Sequence, residues 1–175
     1  MPPKQADSSP GFLDNIQHPP GLHLPLTRTC KGRTQEHGKE KEVVTIRVVR
    51  LGSRRMEREG IRIGTVRRPP RGVPKAEFAS RNWYDVWLPN LAPGIETIKL
   101  AQGANTPAQW AKFVKRYRAE MKTPENSHLI ELLSVLSHQC NFSVGCYCQN
   151  EARCHRSILR ELLLESGAKM ESLTL

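Results

Sequence analysis

No stretch of this 175-residue sequence is apolar for long enough to span a membrane. Its first residues, Met1-Pro2-Pro3-Lys4-Gln5-Ala6-Asp7, lack the apolar segment of a signal peptide, so the expected location is the cytosol. Apolar residues make up only 38% of the chain, too few for one folded throughout. Cysteines are few and uneven: three of the five fall between positions 146 and 154. That distribution fits reduced thiols or a metal better than a disulfide framework. No internal repeat is present, which removes solenoids and propellers.

What the sequence does have is positive charge in one place. The net charge is +10. Residues 1–42 contribute +1, from six Lys/Arg against five Asp/Glu, whereas residues 47–81 carry eleven Lys/Arg, ten of them Arg, against three Glu. One segment therefore dominates the field and points to an anionic partner. A solvated, solubilising surface is the plainer explanation of any such run.

Residues 1–42 are rich in Pro, Gly, Gln and Thr without periodicity and read as a disordered tail. Cys30, His18, His23 and His37 lie there, too scattered for a metal site. The folded domain is expected over 43–175. Its strands are expected at Val43–Arg50, Ile61–Val66, Tyr84–Leu88 and Phe142–Tyr147, each β-branched or densely apolar. A short helix is expected at Pro74–Ser80 and a weak one at Ile95–Gln102. Thr106-Pro107-Ala108-Gln109 carries the Thr/Pro/Gln signature of a capped helix start, and the stripe Trp110, Phe113, Val114, Tyr117, Met121 follows it. Thr123-Pro124 starts another helix with Leu129, Leu132, Leu133 and Leu136 expected inward. Ile158, Leu159, Leu162 and Leu163 line the last, with Gly167 as its C-cap. Strands alternating with helices predict a small α/β domain: a four-stranded, largely parallel sheet flanked by helices.

The densest group of reactive side chains runs from Cys146 to Arg156, where a strand gives way to a loop and then a helix. Open α/β sheets place ligands at such points, and a helix start favours anions and thiolates. Arg67, Arg68 and Arg71 follow the second strand, and Arg153 and Arg156 follow the fourth. In parallel strands both groups share the C-terminal edge, where planar guanidinium forks suit phosphate or carboxylate. The alternative is an exposed turn whose arginines pair with Glu57, Glu59 and Glu151. Cys154 and His155 are the catalytic candidates, as nucleophile and base or acid; Cys148 joins the ligand-binding set. Cys146, inside a strand, is most simply a small apolar residue. Zinc on this cluster is disfavoured by spacing, since paired cysteines usually stand two or more residues apart and an adjacent Cys-His pair rarely reaches one ion. No cofactor is assigned.

A phosphorylated or nucleotide-like small anion is thus the expected partner, with Arg67, Arg68, Arg71, Arg153, Arg156 and Cys148 holding it. A zinc- or thiol-based redox protein and a basic nucleic-acid binding module are the rivals. The latter would use Trp83, Tyr84 and Trp87 for stacking, giving weak contact indifferent to sequence. Oligomeric state is not encoded legibly.

Several motifs occur together: Arg50-Leu51-Gly52-Ser53, Gly64 to Gly72 with its Arg-Arg-Pro-Pro-Arg, Tyr84 to Pro93, Gly145-Cys146-Tyr147-Cys148 and Arg153-Cys154-His155-Arg156. Over about residues 43–170 this set resembles the bacterial "domain of unknown function 488" family. The resemblance implies a small cytosolic α/β domain and confers no activity or substrate.

Overall fold

The computed structural model describes residues 45–171. The tail expected at 1–42 lies outside them, as do Val43 and Val44 of the first expected strand. The elements run β1 (Ile46–Arg50), β2 (Ile61–Gly64), β3 (Val86–Trp87), α1 (Ile95–Gln102), α2 (Pro107–Met121), α3 (Pro124–Leu136), β4 (Phe142–Cys146) and α4 (His155–Glu165). All pairings are parallel and the sheet order is β1-β4-β2-β3. β4 is central and buried along its whole length, which explains its unbroken Phe-Ser-Val-Gly-Cys run.

Register sorts the two faces. Ile46, Phe142 and Ile61 align, as do Val48, Val144 and Ile63. Ile46, Phe142, Val144 and Ile63 join Phe113, Tyr117, Met121, Ile130, Leu133, Ile158, Leu159 and Leu163 in the main core, so α2, α3 and α4 pack on this face. The opposite face is covered by the connection between β1 and β3. Tyr84 lies against Gly64 and Leu51 against Gly145, where a Cβ at either glycine would collide with the covering side chain. Near the N-terminal end of this face Arg62 is fully buried and paired with Glu59.

Helix starts follow their sequence signals unevenly. Thr106 and Gln109 form the reciprocal capping box, whereas the Thr123 side chain makes no cap bond. Gly167 ends α4 at φ 85°, a backbone region that favours glycine. The segment expected as a helix after Pro74 is a single 3-10 turn, Lys75–Glu77. Two inward assignments need correction. On α3 the buried side chains are Ile130, Leu133 and Ser134, while Leu132 and Leu136 are exposed. Trp87 is exposed because β3 is a two-residue edge strand; its indole N–H donates to Val66 O at 2.7 Å.

The edge at β1 is closed by the chain's return. Ile46 N–H donates to Lys169 O and Glu171 N–H to Ile46 O, so the segment after α4 lies along the start of β1.

Candidate functional site: a thiol cluster at the C-terminal edge of the sheet

Three backbone positions carry the cluster. Cys146 ends β4, Cys148 sits one residue beyond its neighbour Tyr147 in the exit loop, and Cys154 is the N-cap of α4 with extended φ and ψ. The loop returns so that the three sulfurs lie within 4.8 Å of one another, with Cys146 and Cys148 at 3.7 Å. The Cys-Tyr-Cys spacing is therefore no obstacle to convergence, contrary to the argument made from spacing. His155 is not in this converging set, although its Nδ1 lies 3.7 Å from Cys154 Sγ.

The cluster is electrostatically divided. Hydrogen bonding to Cys148 and Cys154, together with burial, pushes the Cys146 thiol far up, so it keeps its proton. The bonds from Cys146 and Cys154, with the Arg156 charge, hold Cys148 well below an ordinary thiol despite its partial burial. Cys154 is also lowered, chiefly by Cys146 and further by His155. Cys148 is the solvent-exposed sulfur; Cys146 and Cys154 are buried.

His155 is held by Thr65, a residue sequence reasoning passed over. Its Nε2 lies 2.9 Å from Thr65 O, which can only accept, so Nε2 carries the hydrogen. In the neutral ring Nδ1 then offers its lone pair to Cys154 Sγ, 3.7 Å away. Thr65 follows β2 directly and is itself pinned, through N–H and hydroxyl, to Gly145 O on β4. A polar residue closing an apolar strand was the available signal. Tyr117 packs its ring edge-on against His155 and spends its hydroxyl on Leu91 O.

The arginines do not act as one cradle. Arg67 donates to Ala92 O and Pro93 O. Arg153 donates to Ala104 O and stacks 4.5 Å from the Trp110 ring centre. Arg156 is buried and donates to Cys148 O, and its Nε has no partner. These three brace the loops that make the site. Arg68 and Arg71 are exposed, with no side-chain partner among the described residues. Nor do the expected carboxylates engage the set: Glu59 pairs with Arg62 and Glu151 with Arg160.

A cavity of about 630 Å³ opens over the cluster. Thr65, Arg67, Arg68, Cys146, Cys148, Arg153, Cys154 and His155 line it, so both loops meet there; Arg71 and Arg156 do not. Its other walls are largely apolar, from Ala92, Pro93, Ile95, Ile98, Ala101 and Phe113. Of the aromatics considered for nucleic-acid stacking, Tyr84 is buried and Trp83 packs on Tyr147, leaving Trp87 in solvent. No helix among the described residues is long and apolar enough to cross a membrane.

Fold and site together define a small parallel α/β protein with a thiol-rich pocket at the C-terminal edge of its sheet. Residues 46–167 match the model of DUF488-N3a, described as the active DUF488-N3 subclade, and the chain belongs to this family. Neither the curated proteins nor the solved structures provide a match.

Proposed function

We propose that the pocket binds a small organic molecule with an apolar body and one anionic group, and presents it to the sulfur cluster and His155. The observation that carries this reading is the meeting of Arg68, Cys148, Cys154 and His155, from the ends of two central strands, on one cavity. Its volume lies in the range of small-molecule sites, and its mix of apolar walls with a few convergent polar groups is characteristic of them. Ile95, Ile98 and Phe113 suit a ring or chain, and Arg68 is the guanidinium still available for a phosphate or carboxylate. A phosphorylated or nucleotide-like molecule with a single phosphate meets both demands. A polyphosphate does not, because Arg67, Arg153 and Arg156 are committed to backbone carbonyls.

A ligand that binds only the native state raises its stability by mass action, by about 2.7 kcal/mol at a hundredfold excess over Kd. Nucleoside monophosphates, sugar phosphates and inorganic phosphate should therefore be compared by thermal shift. At least one phosphomonoester with an apolar ring should stabilise the wild type, inorganic phosphate should do so weakly, and Arg68→Ala should abolish the effect while Arg71→Ala leaves it intact. Absence of any shift across the panel, or one that survives Arg68→Ala, would overturn the reading.

A further inference from the structure

We infer that Cys146, Cys148 and Cys154 form a three-thiolate zinc centre whose fourth coordination position opens into the pocket. The inference deepens the pocket reading and rests on it for the open side of the centre.

Distance is the first argument. Two thiolates bound to one tetrahedral zinc at about 2.3 Å stand about 3.8 Å apart. Cys146 and Cys148 Sγ are already 3.7 Å apart, and the third sulfur lies within 4.8 Å of both. Among the described residues this is the one grouping of His, Cys, Asp or Glu with metal-ligand spacing. Backbone placement is the second argument. A strand end, a loop braced by Arg156 on Cys148 O and a helix N-cap hold the sulfurs, so little ordering remains for the metal to impose.

Charge is the third. Loading replaces three S–H bonds with three S–Zn bonds and passes three protons to solvent. Three thiolates and one divalent ion leave a single net negative charge. Arg156 is buried beside the cluster without an acidic partner among the described residues, and its Nε lacks any acceptor. A buried guanidinium in that state calls for an anion, and a zinc trithiolate is one of matching charge. Coordination number is the fourth. Sites with four protein ligands are closed and structural, whereas three protein ligands with an open position are the catalytic pattern. His155 is not among the converging ligand atoms, although its Nδ1 stands 3.7 Å from Cys154 Sγ, so the three cysteines are the protein ligands. All three cysteines line the cavity, so that position faces the bound molecule or a water. A dithiol redox couple would use only two of the sulfurs and would need an oxidant.

The test uses the full chain, expressed with added zinc and purified under reducing conditions without chelator. Elemental analysis should find about one zinc per chain. Replacement by cobalt(II) should give intense sulfur-to-cobalt charge-transfer absorption in the near ultraviolet, a signature of thiolate ligation. Cys148→Ser, at an exposed position that tolerates the change, and Cys154→Ser should each lose the metal and the band. Cys30→Ser should keep both. Arg156→Met should weaken zinc binding about tenfold or more while leaving three thiols in place. Arg68→Ala should hold a full complement of zinc and lose only the ligand-induced thermal shift, so the metal and the pocket readings fail separately. Wild-type protein that is folded but zinc-free, that carries copper instead, or that shows a disulfide within the cluster by mass would overturn the inference. So would a Cys148→Ser variant with undiminished zinc and an unchanged cobalt spectrum.

Discussion

Two arginines are buried among the described residues, one near each end of the strands, and they are treated very differently. Arg62, toward the N-terminal end, forks onto both oxygens of Glu59 at 2.6 and 2.8 Å and gives its remaining nitrogen to Ser53 O and Asn82 O. Glu59 in turn accepts from Ser143 Oγ and Met56 N–H. Each guanidinium nitrogen and both carboxylate oxygens are answered from within. Arg156, at the C-terminal end, has one carbonyl, one idle nitrogen and sulfur for company. A self-satisfied ion pair has no valence left for a ligand and works as scaffold. The incompletely answered arginine lies at the end where the pocket opens and where the zinc centre is proposed.

The comparison breaks most visibly at the scaffold end. Arg62→Ala strands a buried carboxylate and should cost about 3–5 kcal/mol in chemical denaturation. The same pair sets the acid limit. Burial raises the Glu59 pKa, but the bonds from Arg62, Ser143 and Met56 lower it further, leaving it at about 2 against an ordinary 4.5. A folded value below the unfolded one means that this stability is complete above pH 4.5 and is given up as pH falls toward 2. Ser143→Ala should shift the acid unfolding midpoint upward; an unmoved midpoint would show that Glu59 does not govern it.

Smaller effects are expected between and beyond these points. Gly64→Ala would drive a methyl into the Tyr84 ring, and should cost about 1–3 kcal/mol with altered near-ultraviolet dichroism. Arg156→Ala, losing one charged hydrogen bond rather than a buried ion pair, should cost about 1.5–3 kcal/mol and thus less than Arg62→Ala. If it costs more, the C-terminal end is scaffold too and the contrast collapses. Arg68→Ala, whose side chain is exposed and without a partner among the described residues, should change stability by less than about 0.5 kcal/mol in the absence of ligand.

The contrast also explains what the sequence made legible. Parallel α/β architecture and element order follow from local patterns, and parallel strands alone bring the arginine loop and the cysteine loop to one edge. Arg67, Arg68, Cys148, Cys154 and His155 accordingly share a cavity. What local pattern does not carry is the partner of each polar group. Whether Arg67 meets a phosphate or Ala92 O depends on a segment 25 residues away. The Glu59–Arg62–Ser143 network was missed for the same reason, although an arginine between two isoleucines in a strand was a hint. Cys146 read as an ordinary core residue because its neighbours in sequence are apolar. Only the returning loop turns it toward Cys148 and Cys154. Leu132 and Leu136 misled because three-and-four spacing defines a stripe without saying which stripe faces inward.

The return of the chain after α4 onto β1 has a practical consequence. Thr45 and Glu171 flank the same residue, Ile46, at the N-terminal end of the sheet, while the pocket lies at the other end. A short linker from 171 to 45 would therefore close the described polypeptide into a ring without touching a strand. New termini cut in the exposed turn around Arg71 and Gly72 would yield a permuted protein in which β1 and β4 still pair.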